Sequence, residues 1–287
     1  MATMEIMELG VAGLSAKAVL GPAETARLAG RAEELGYSSW WAGEHVVLPS
    51  PRTPDAPMEP TDPILDPLVH LSYVAALTRR IELGTAIVIL PQRNPLVLAK
   101  QAASLDVLSG GRLLLGVGAG YLEPEMTALG VPMADRGRRT DEYLDAMTEL
   151  WTSAAPAYRG RYVSFENVDA HPRPARPGGP RIVVGGHSPA AFRRAVSRGH
   201  AWFGNGGPDD LPRHLEGLRR AAGEVDRPAR LGPLEIIWMQ VDPVDLDAGA
   251  TRRYADLGVD RLVVYPLPLA DPGDVERFLE HHAALPR

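Results

Sequence analysis

Apolar runs of four to eight residues alternate along the chain with longer segments of helical periodicity. The runs are rich in β-branched and aromatic residues, which predicts strands. The predicted strands are Ile6–Val11, Ser38–Ala42, Ile81–Val88, Arg112–Val117, Arg181–Gly185, His200–Phe203, Leu234–Val241 and Arg261–Tyr265. Strands that alternate with helices are typical of βαβ units and a parallel sheet.

Two of the helical segments carry clear end signals. The first, Ala23–Leu35, follows a Gly-Pro pair and stops at Gly36, because glycine is common just after a helix ends. Ahead of the second helix, Asn94 offers an N-cap and Pro95 suits the first turn, while Gly110 marks its end.

Eight strands, each followed by a helix, in about 250 residues predict a (β/α)₈ or TIM barrel. An open doubly wound α/β sheet usually has fewer strands. No linker separates two compositions, so residues 1–287 are predicted to form a single domain. Two longer segments, Leu48–Pro63 and Tyr158–Pro180, are expected to be insertions in strand-to-helix loops, and the second has the pattern of a short hairpin.

Composition narrows the possible functions. The 287 residues include no cysteine, which excludes disulfides, thiolate metal sites and cysteine nucleophiles. The formal net charge of -6 and the scattered arginines argue against nucleic-acid binding. Without a signal-peptide pattern or an apolar run of roughly 18 to 20 residues, we expect a cytoplasmic protein that does not enter membranes. Histidine spacing indicates no metal site.

In a barrel, functional side chains lie at the carboxyl ends of the strands. Glu44 and His45 end the second predicted strand, where a carboxylate and an imidazole could share acid–base work or could simply shape the loop. Since neighbouring strand residues point to opposite faces, only one of the two should face the site. Thr85 ends the LGT motif of the third strand, where small residues could also serve packing alone.

The fourth strand reads RLLLGVGAGYLEPE, with Gly116, Gly118 and Gly120 at alternate positions. This spacing leaves one face of the strand end bare, so a flat or bulky group could lie there. A close crossing of strand and helix would explain it nearly as well. The order G-x-G-x-G is not the dinucleotide-binding fingerprint.

The fifth strand is followed by GGHSP, which predicts an anion site. Gly185, Gly186 and His187 form the turn, and Ser188 caps the next helix. The free backbone N–H groups of a helix start attract phosphate when glycines allow it to approach. An ordinary capped helix is the alternative.

Together, the segments ELGYSSWWAGEHVVLP, LGTAIV, LDVLSGGR, GVGAGYLEPE and PRIVVGGHSPAAFRRAVSRG resemble the luciferase-like flavin and deazaflavin enzymes. The resemblance covers nearly the whole chain and is strongest to the branch that uses the deazaflavin coenzyme F420. It implies a barrel with the cofactor across its mouth and a non-proline cis peptide bond at Ala86-Ile87. The cofactor-binding residues that it implies are Thr85, Ala86, Ile87, Gly118, Ala119, Gly120, Tyr121, Gly185, Gly186, His187 and Ser188.

The resemblance further implies catalytic roles for His45, in proton transfer, and Glu44. Sugar-oxidising relatives carry a glutamate where this chain has Tyr121, so sugar-phosphate oxidation is not expected. We predict an F420-dependent oxidoreductase that passes hydride to or from a small, largely apolar molecule, in a homodimer as is common among relatives. One alternative is an FMN-dependent monooxygenase, whose flavin is oxygenated to a hydroperoxide that a deazaflavin cannot form. The other is a catalytically silent flavin-binding barrel.

Overall fold

The computed structural model describes residues 7–16, 20–241, 246–266 and 271–285, so the predicted strand start at Ile6 lies outside the described residues. The strands are β1 (Glu8–Ala12), β2 (Ser39–Ala42), β3 (Glu82–Thr85), β4 (Val88–Ile89), β5 (Leu113–Gly118), β6 (Tyr158–Arg159), β7 (Ser164–Phe165), β8 (Arg181–Gly185), β9 (Ala201–Gly206), β10 (Glu235–Gln240) and β11 (Arg261–Val264). The helices are α1 (Pro22–Glu34), α2 (Pro67–Leu77), α3 (Pro95–Ser109), α4 (Glu123–Ala128), α5 (Arg136–Thr152), α6 (Pro189–Arg198), α7 (Leu211–Glu224), α8 (Ala248–Asp256) and α9 (Pro272–Ala283).

Parallel strands close into a barrel. Their order is β3-β2-β1-β11-β10-β9-β8-β5, and the pairing of β3 with β5, with Leu83 opposite Leu113, closes the ring. Strands β3 and β4 both pair with β5, so together they count as one of the eight strands of the barrel wall, which we call staves. A helix follows every stave in the chain, and the predicted (β/α)₈ barrel is confirmed.

The third predicted strand is wrong as a continuous element. Instead of running through Ile81–Val88, it stops at Thr85 and resumes at Val88. Between them the peptide bond joining Ala86 and Ile87 is cis, as the resemblance implied. The amide of Ala86 still donates to the carbonyl oxygen of Ala42 at 2.7 Å, so the break is a bulge within the barrel wall.

The two predicted insertions lie at opposite ends of the barrel. Leu48–Pro63 lies in the strand-to-helix loop between β2 and α2, as expected. Tyr158–Pro180 instead lies in a helix-to-strand loop, between α5 and β8, where β6 and β7 form the predicted hairpin with Tyr158 opposite Phe165. The mouth carries one helix beyond the repeating strand–helix unit, the short helix α4 that follows β5.

Helix ends follow the sequence signals. Asn94 Oδ1 accepts hydrogen bonds from the amides of Leu96 and Val97 at 3.0 and 3.3 Å, and Gly110 ends α3 in the left-handed conformation at φ 69°. Gly36, with φ 83°, ends α1 in the same way. Among the helices described, none combines the length and the apolar character that a bilayer span requires.

The interior of the barrel is filled by protein. The Trp41 ring occupies its centre, and a Cβ atom on Gly84 would collide with that ring. Its indole Nε1 donates to Ser39 Oγ at 2.8 Å. A second, larger apolar layer lies between strands and helices and includes Trp40 and Leu28. Because the centre is packed, the barrel is not a channel, and in this fold ligands bind at the mouth.

Candidate active site

A cavity of about 540 Å³ opens at the carboxyl ends of the strands. That volume lies within the range of small-molecule and cofactor sites. Its walls are formed by Glu44, His45, Ala86, Ile87, Ile89, Ala119, Gly120, Tyr121, Arg136, Gly185, Gly186, His187, Ser188, Ala191, Arg194, Phe203, Asn205 and Met239. Eleven of the thirteen residues singled out from the sequence are among them, so one site collects segments from four separate strand ends.

The remaining two candidates, Thr85 and Gly118, are buried behind the wall. Thr85 Oγ1 donates to the carbonyl oxygen of Gly116 at 2.6 Å. A Cβ atom on Gly116 would collide with the Thr85 carbonyl oxygen, and one on Gly118 would collide with the Ile87 side chain. At Gly116 and Gly118 the expected bare strand face is filled by the bulge of the neighbouring strand, whereas Gly120 lines the cavity and lies close to Met126 of helix α4, as the alternative of a close strand–helix approach expected.

Glu44 is engaged in a salt bridge rather than with its neighbour His45. Its Oε1 accepts from Arg93 Nε at 2.7 Å, and its Oε2 accepts from the amide of Ile89 at 2.6 Å. The same guanidinium reaches Asp66 at 2.6 Å. Burial raises the pKa of the Glu44 carboxyl, and Arg93 opposes that effect. This carboxyl therefore joins the β2 end to the segment after β4.

The carboxylate that contacts His45 is Glu125, on α4. His45 Nδ1 lies 2.9 Å from Glu125 Oε2, and the side chain of Glu125 is fully buried. Its other oxygen accepts from the amides of Val46 and Val47, at 2.6 and 3.4 Å. Sequence analysis missed this residue because eighty positions separate the two partners, although the EPE motif begins only three residues after the last glycine of the block.

The turn after β8, predicted to be an anion site, leads into the capped start of α6. Gly186 has φ 115°, which favours glycine, and Ser188 Oγ caps α6 by accepting from the Ala191 amide at 3.2 Å. Trp202 Nε1 donates to the Gly186 carbonyl oxygen at 2.9 Å. These bonds fix the turn, and Ser188 and Ala191 at the start of α6 line the cavity.

His187 in that turn is held as a neutral ring. Its Nε2 lies 3.2 Å from the amide of Asn205, which can only donate, and its ring stacks on His214 at 4.1 Å between centroids. Burial, with the nearby His214 and Arg213 side chains, lowers the pKa of the imidazole to about 4. The turn would therefore attract anions through backbone N–H groups rather than through imidazolium charge.

Two arginines that sequence analysis missed also line the cavity. Arg194 Nε donates to Asp141 Oδ1 at 2.7 Å, so its charge is paired. Arg136 donates to the carbonyl oxygens of Gly120 and Met133 at 3.2 and 2.5 Å, and it forms no ion pair with any described carboxylate. Its charge is available to an anionic ligand. Nothing in RGRRTDEYL distinguishes it from its neighbours.

A smaller cavity of about 190 Å³ adjoins the first. The two share Glu44, His45, Ala86 and Met239. Most of its remaining lining is apolar or aromatic and comes from Ala12, Gly13, Ser15, Ala16, Gly43, Pro57, Met58, Ile64 and Tyr265. His45 thus lies where two chambers meet. Across the described residues, no three His, Asp or Glu side chains group as a metal site would require.

The family model for luciferase-like monooxygenases matches residues 7–244. The chain belongs to this family. It is 32% identical over 290 residues to an uncharacterised protein of Mycobacterium tuberculosis, covering 97% of this chain and 98% of that protein. Over 218 residues it is 30% identical to an F420-dependent glucose-6-phosphate dehydrogenase of Kineococcus radiotolerans, covering 72% and 62%. The fold is similar to the crystal structure of the monooxygenase RslO1 from Streptomyces bottropensis, with a TM-score of 0.75, 24% identity and coverage of 96% and 98%.

Members of the luciferase-like family are flavin-dependent or F420-dependent oxidoreductases and monooxygenases that act on small molecules. The predicted enzyme class is confirmed at that level.

Proposed function

We propose that the protein is an F420-dependent oxidoreductase that passes hydride to or from a small, largely apolar organic molecule. The observation that carries the proposal is the joint position of His45, at the meeting point of a cofactor-sized cavity and a smaller apolar one. Support for the deazaflavin comes from the motif resemblance and from the similarity to an F420-dependent dehydrogenase.

The larger cavity fits a flavin-type group in shape and in charge. The cis bond at Ala86-Ile87 gives one wall, which a planar ring system could contact. The turn at Gly186 offers backbone N–H groups to a phosphate, and Arg136 adds a cation to the same cavity. Two electropositive elements suit a cofactor whose side chain carries several anionic groups.

When bound, the deazaflavin supplies or accepts the hydride. The chain then has to place the substrate and move one proton. His45 Nε2 makes no hydrogen bond within the described residues, and the ring lines both chambers. When an alcohol is oxidised, this nitrogen accepts the hydroxyl proton as hydride leaves the carbon that bears the hydroxyl. When the carbonyl compound is reduced, it returns the proton to the carbonyl oxygen.

The smaller cavity sets the substrate class in this proposal. Pro57, Met58 and Ile64 come from the loop between β2 and α2, and Tyr265 and Met239 complete an apolar enclosure. Burial alone raises the pKa of the Tyr265 hydroxyl. A charged phosphate would lose its hydration in this largely apolar chamber, whose lining includes no arginine or lysine. A small alcohol or carbonyl compound fits better.

Titration of the protein with F420, FMN and FAD, followed by absorption and fluorescence, tests the cofactor. We expect F420 to bind more tightly than either flavin and to change redox state with small alcohols or ketones, without oxygen uptake. FMN that binds at least as well, with oxygen consumption, would support a monooxygenase instead. Binding without redox change across a substrate screen would indicate a silent barrel.

We also propose that the protein is a homodimer whose interface includes α2 and α3. Helix α2 has no charged residue, yet Val69, Tyr73 and Leu77 are exposed at intervals of four along it, and Leu108 is exposed on the adjoining α3. A second copy presents the same apolar surface and would cover it. Light scattering should give twice the chain mass. Val69→Glu should yield monomers, whereas the matched Val168→Glu outside this face should not.

A further inference from the structure

Glu125 lies beside the site, and sequence resemblance assigns it no role. It is on α4, the short helix that β5 leads into, and its carboxyl reaches back under the loop after β2. The side chain is fully buried, and no arginine or lysine among the described residues forms an ion pair with it. A buried carboxyl without a cationic partner needs another source of stabilisation.

The contacts of Glu125 supply that stabilisation and have a defined polarity. Oε1 accepts from the backbone amides of Val46 and Val47, which cannot accept in return. Oε2 faces His45 Nδ1 at 2.9 Å. An ionised carboxylate has no proton to donate, so Nδ1 must carry the hydrogen of this bond. The proton of the neutral ring is thereby placed on Nδ1, away from the cavities.

The consequence concerns the other ring nitrogen. A neutral imidazole with its hydrogen on Nδ1 presents a lone pair at Nε2. That nitrogen makes no hydrogen bond within the described residues, in a ring that lines both chambers. The loop amides held by the same carboxylate keep the His45 backbone in place, so a single side chain fixes both the position and the tautomer of the ring.

We infer that Glu125 is a positioning residue that holds His45 as the Nδ1–H tautomer, so that Nε2 is the proton acceptor at the junction of the two cavities. The tautomer rests on the contacts of Glu125 as an ionised carboxylate. Its catalytic consequence rests on the proposed function. Glu44, although adjacent to His45 in sequence, does not take this part, because Arg93 and the Ile89 amide occupy its oxygens.

The test uses histidine-selective ¹⁵N labelling and long-range proton–nitrogen correlation spectra at about pH 8, above the ordinary imidazole pKa. The His45→Gln variant assigns the His45 signals by their disappearance. In the wild-type protein we expect Nδ1 to show the shift of a protonated nitrogen and Nε2 that of a bare one. A His45 ring protonated at Nε2 would overturn the inference.

Glu125→Gln reverses the polarity of the bond at nearly constant size. Its amide oxygen can still accept from Val46, but its nitrogen only donates, so the ring proton should move from Nδ1 to Nε2. Glu123→Gln, two residues earlier and exposed on the same helix, is the matched control and should leave the tautomer unchanged. An unchanged tautomer in Glu125→Gln would also overturn the inference.

Turnover separates this inference from the proposed function. Glu125→Gln should lower kcat roughly 10-fold to 100-fold, the lower part of the range for acid–base groups, with little change in F420 affinity. A tautomer that switches while turnover stays at the wild-type level would support the positioning role and refute proton transfer by His45. A tautomer that stays fixed while turnover falls would refute the positioning role.

Discussion

The two ends of the barrel use charge differently. At the base, Arg261 is 2% exposed and its guanidinium meets three carboxylates, Glu8 at 2.5 Å, Glu82 at 2.8 Å and Glu235 at 3.1 Å. All four are the first residues of their strands, so barrel closure brings them together. Arg181, which begins β8, also pairs with Glu235. The base thus joins staves that are distant in sequence.

At the mouth, some of the described polar groups lack a hydrogen-bond or ion-pair partner. Within the described residues, Arg136 forms no ion pair with a carboxylate and His45 keeps one ring nitrogen without a hydrogen bond, and the turn at Gly186 lines the same cavity. Groups that satisfy one another stabilise the fold, whereas groups held in place without full partners can bind a ligand. We therefore expect substitutions at the base to change stability and substitutions at the mouth to change ligand binding and turnover.

The largest expected effect is on catalysis at the mouth. His45→Ala should lower turnover by about 10²-fold to 10⁴-fold, the usual contribution of an acid–base group. Cofactor affinity should change little, because the backbone groups proposed to hold the phosphate lie elsewhere in the cavity. Steady-state kinetics and F420 titration measure the two quantities, with the exposed His171→Ala as control. Equal losses of turnover and affinity would make His45 a cofactor contact instead.

At the base, the expected effect is on stability. Arg261→Met leaves three carboxylates close together without their cation and should cost about 3–5 kcal/mol in the free energy of unfolding. Urea denaturation measures it. As a control, Arg277→Met removes one partner of an exposed ion pair and should cost at most about 1 kcal/mol in the free energy of unfolding. F420 affinity of the folded Arg261→Met protein should equal that of the wild type. Impaired binding with intact stability would contradict the division between the two ends.

F420 binding should depend more on the charge than on the backbone strain introduced at the turn around Gly186. Gly186→Glu places a carboxylate against the phosphate at a φ of 115° and should weaken F420 binding by roughly 10-fold to 100-fold, or about 1.4 to 2.8 kcal/mol. Gly186→Ala adds the strained conformation alone, with a Cβ 3.2 Å from Ala191, and should bind more tightly than the glutamate variant. Unchanged affinity in both would remove the turn from the site.

How far the sequence leads depends on the distance between interacting residues. The barrel and the capped start of α6 follow from local periodicity and short-range caps, which a single sequence displays. The pattern of apolar residues does not predict the bulge at Ala86-Ile87, because the apolar run continues through it. The pairing of His45 with Glu125 joins separate loops, and adjacency favoured Glu44 as the partner. Likewise, only three-dimensional packing shows that Gly116 and Gly118 make room for the neighbouring stave.

The smallest expected effect is one of pH, and it tests whether the mouth binds anions by backbone rather than by side-chain charge. His187 has a pKa lowered to about 4, so its ring stays neutral from pH 8 down to roughly pH 5. The phosphodiester of F420 keeps one charge over that range. Its affinity, measured by fluorescence titration, should therefore vary less than about twofold, and His187→Gln should follow the same flat profile. An imidazole of ordinary pKa would gain charge below about pH 6.5 and tighten binding as the pH falls. A wild-type affinity that rises on acidification, with the rise absent from His187→Gln, would show that imidazolium charge contributes to anion binding at the turn.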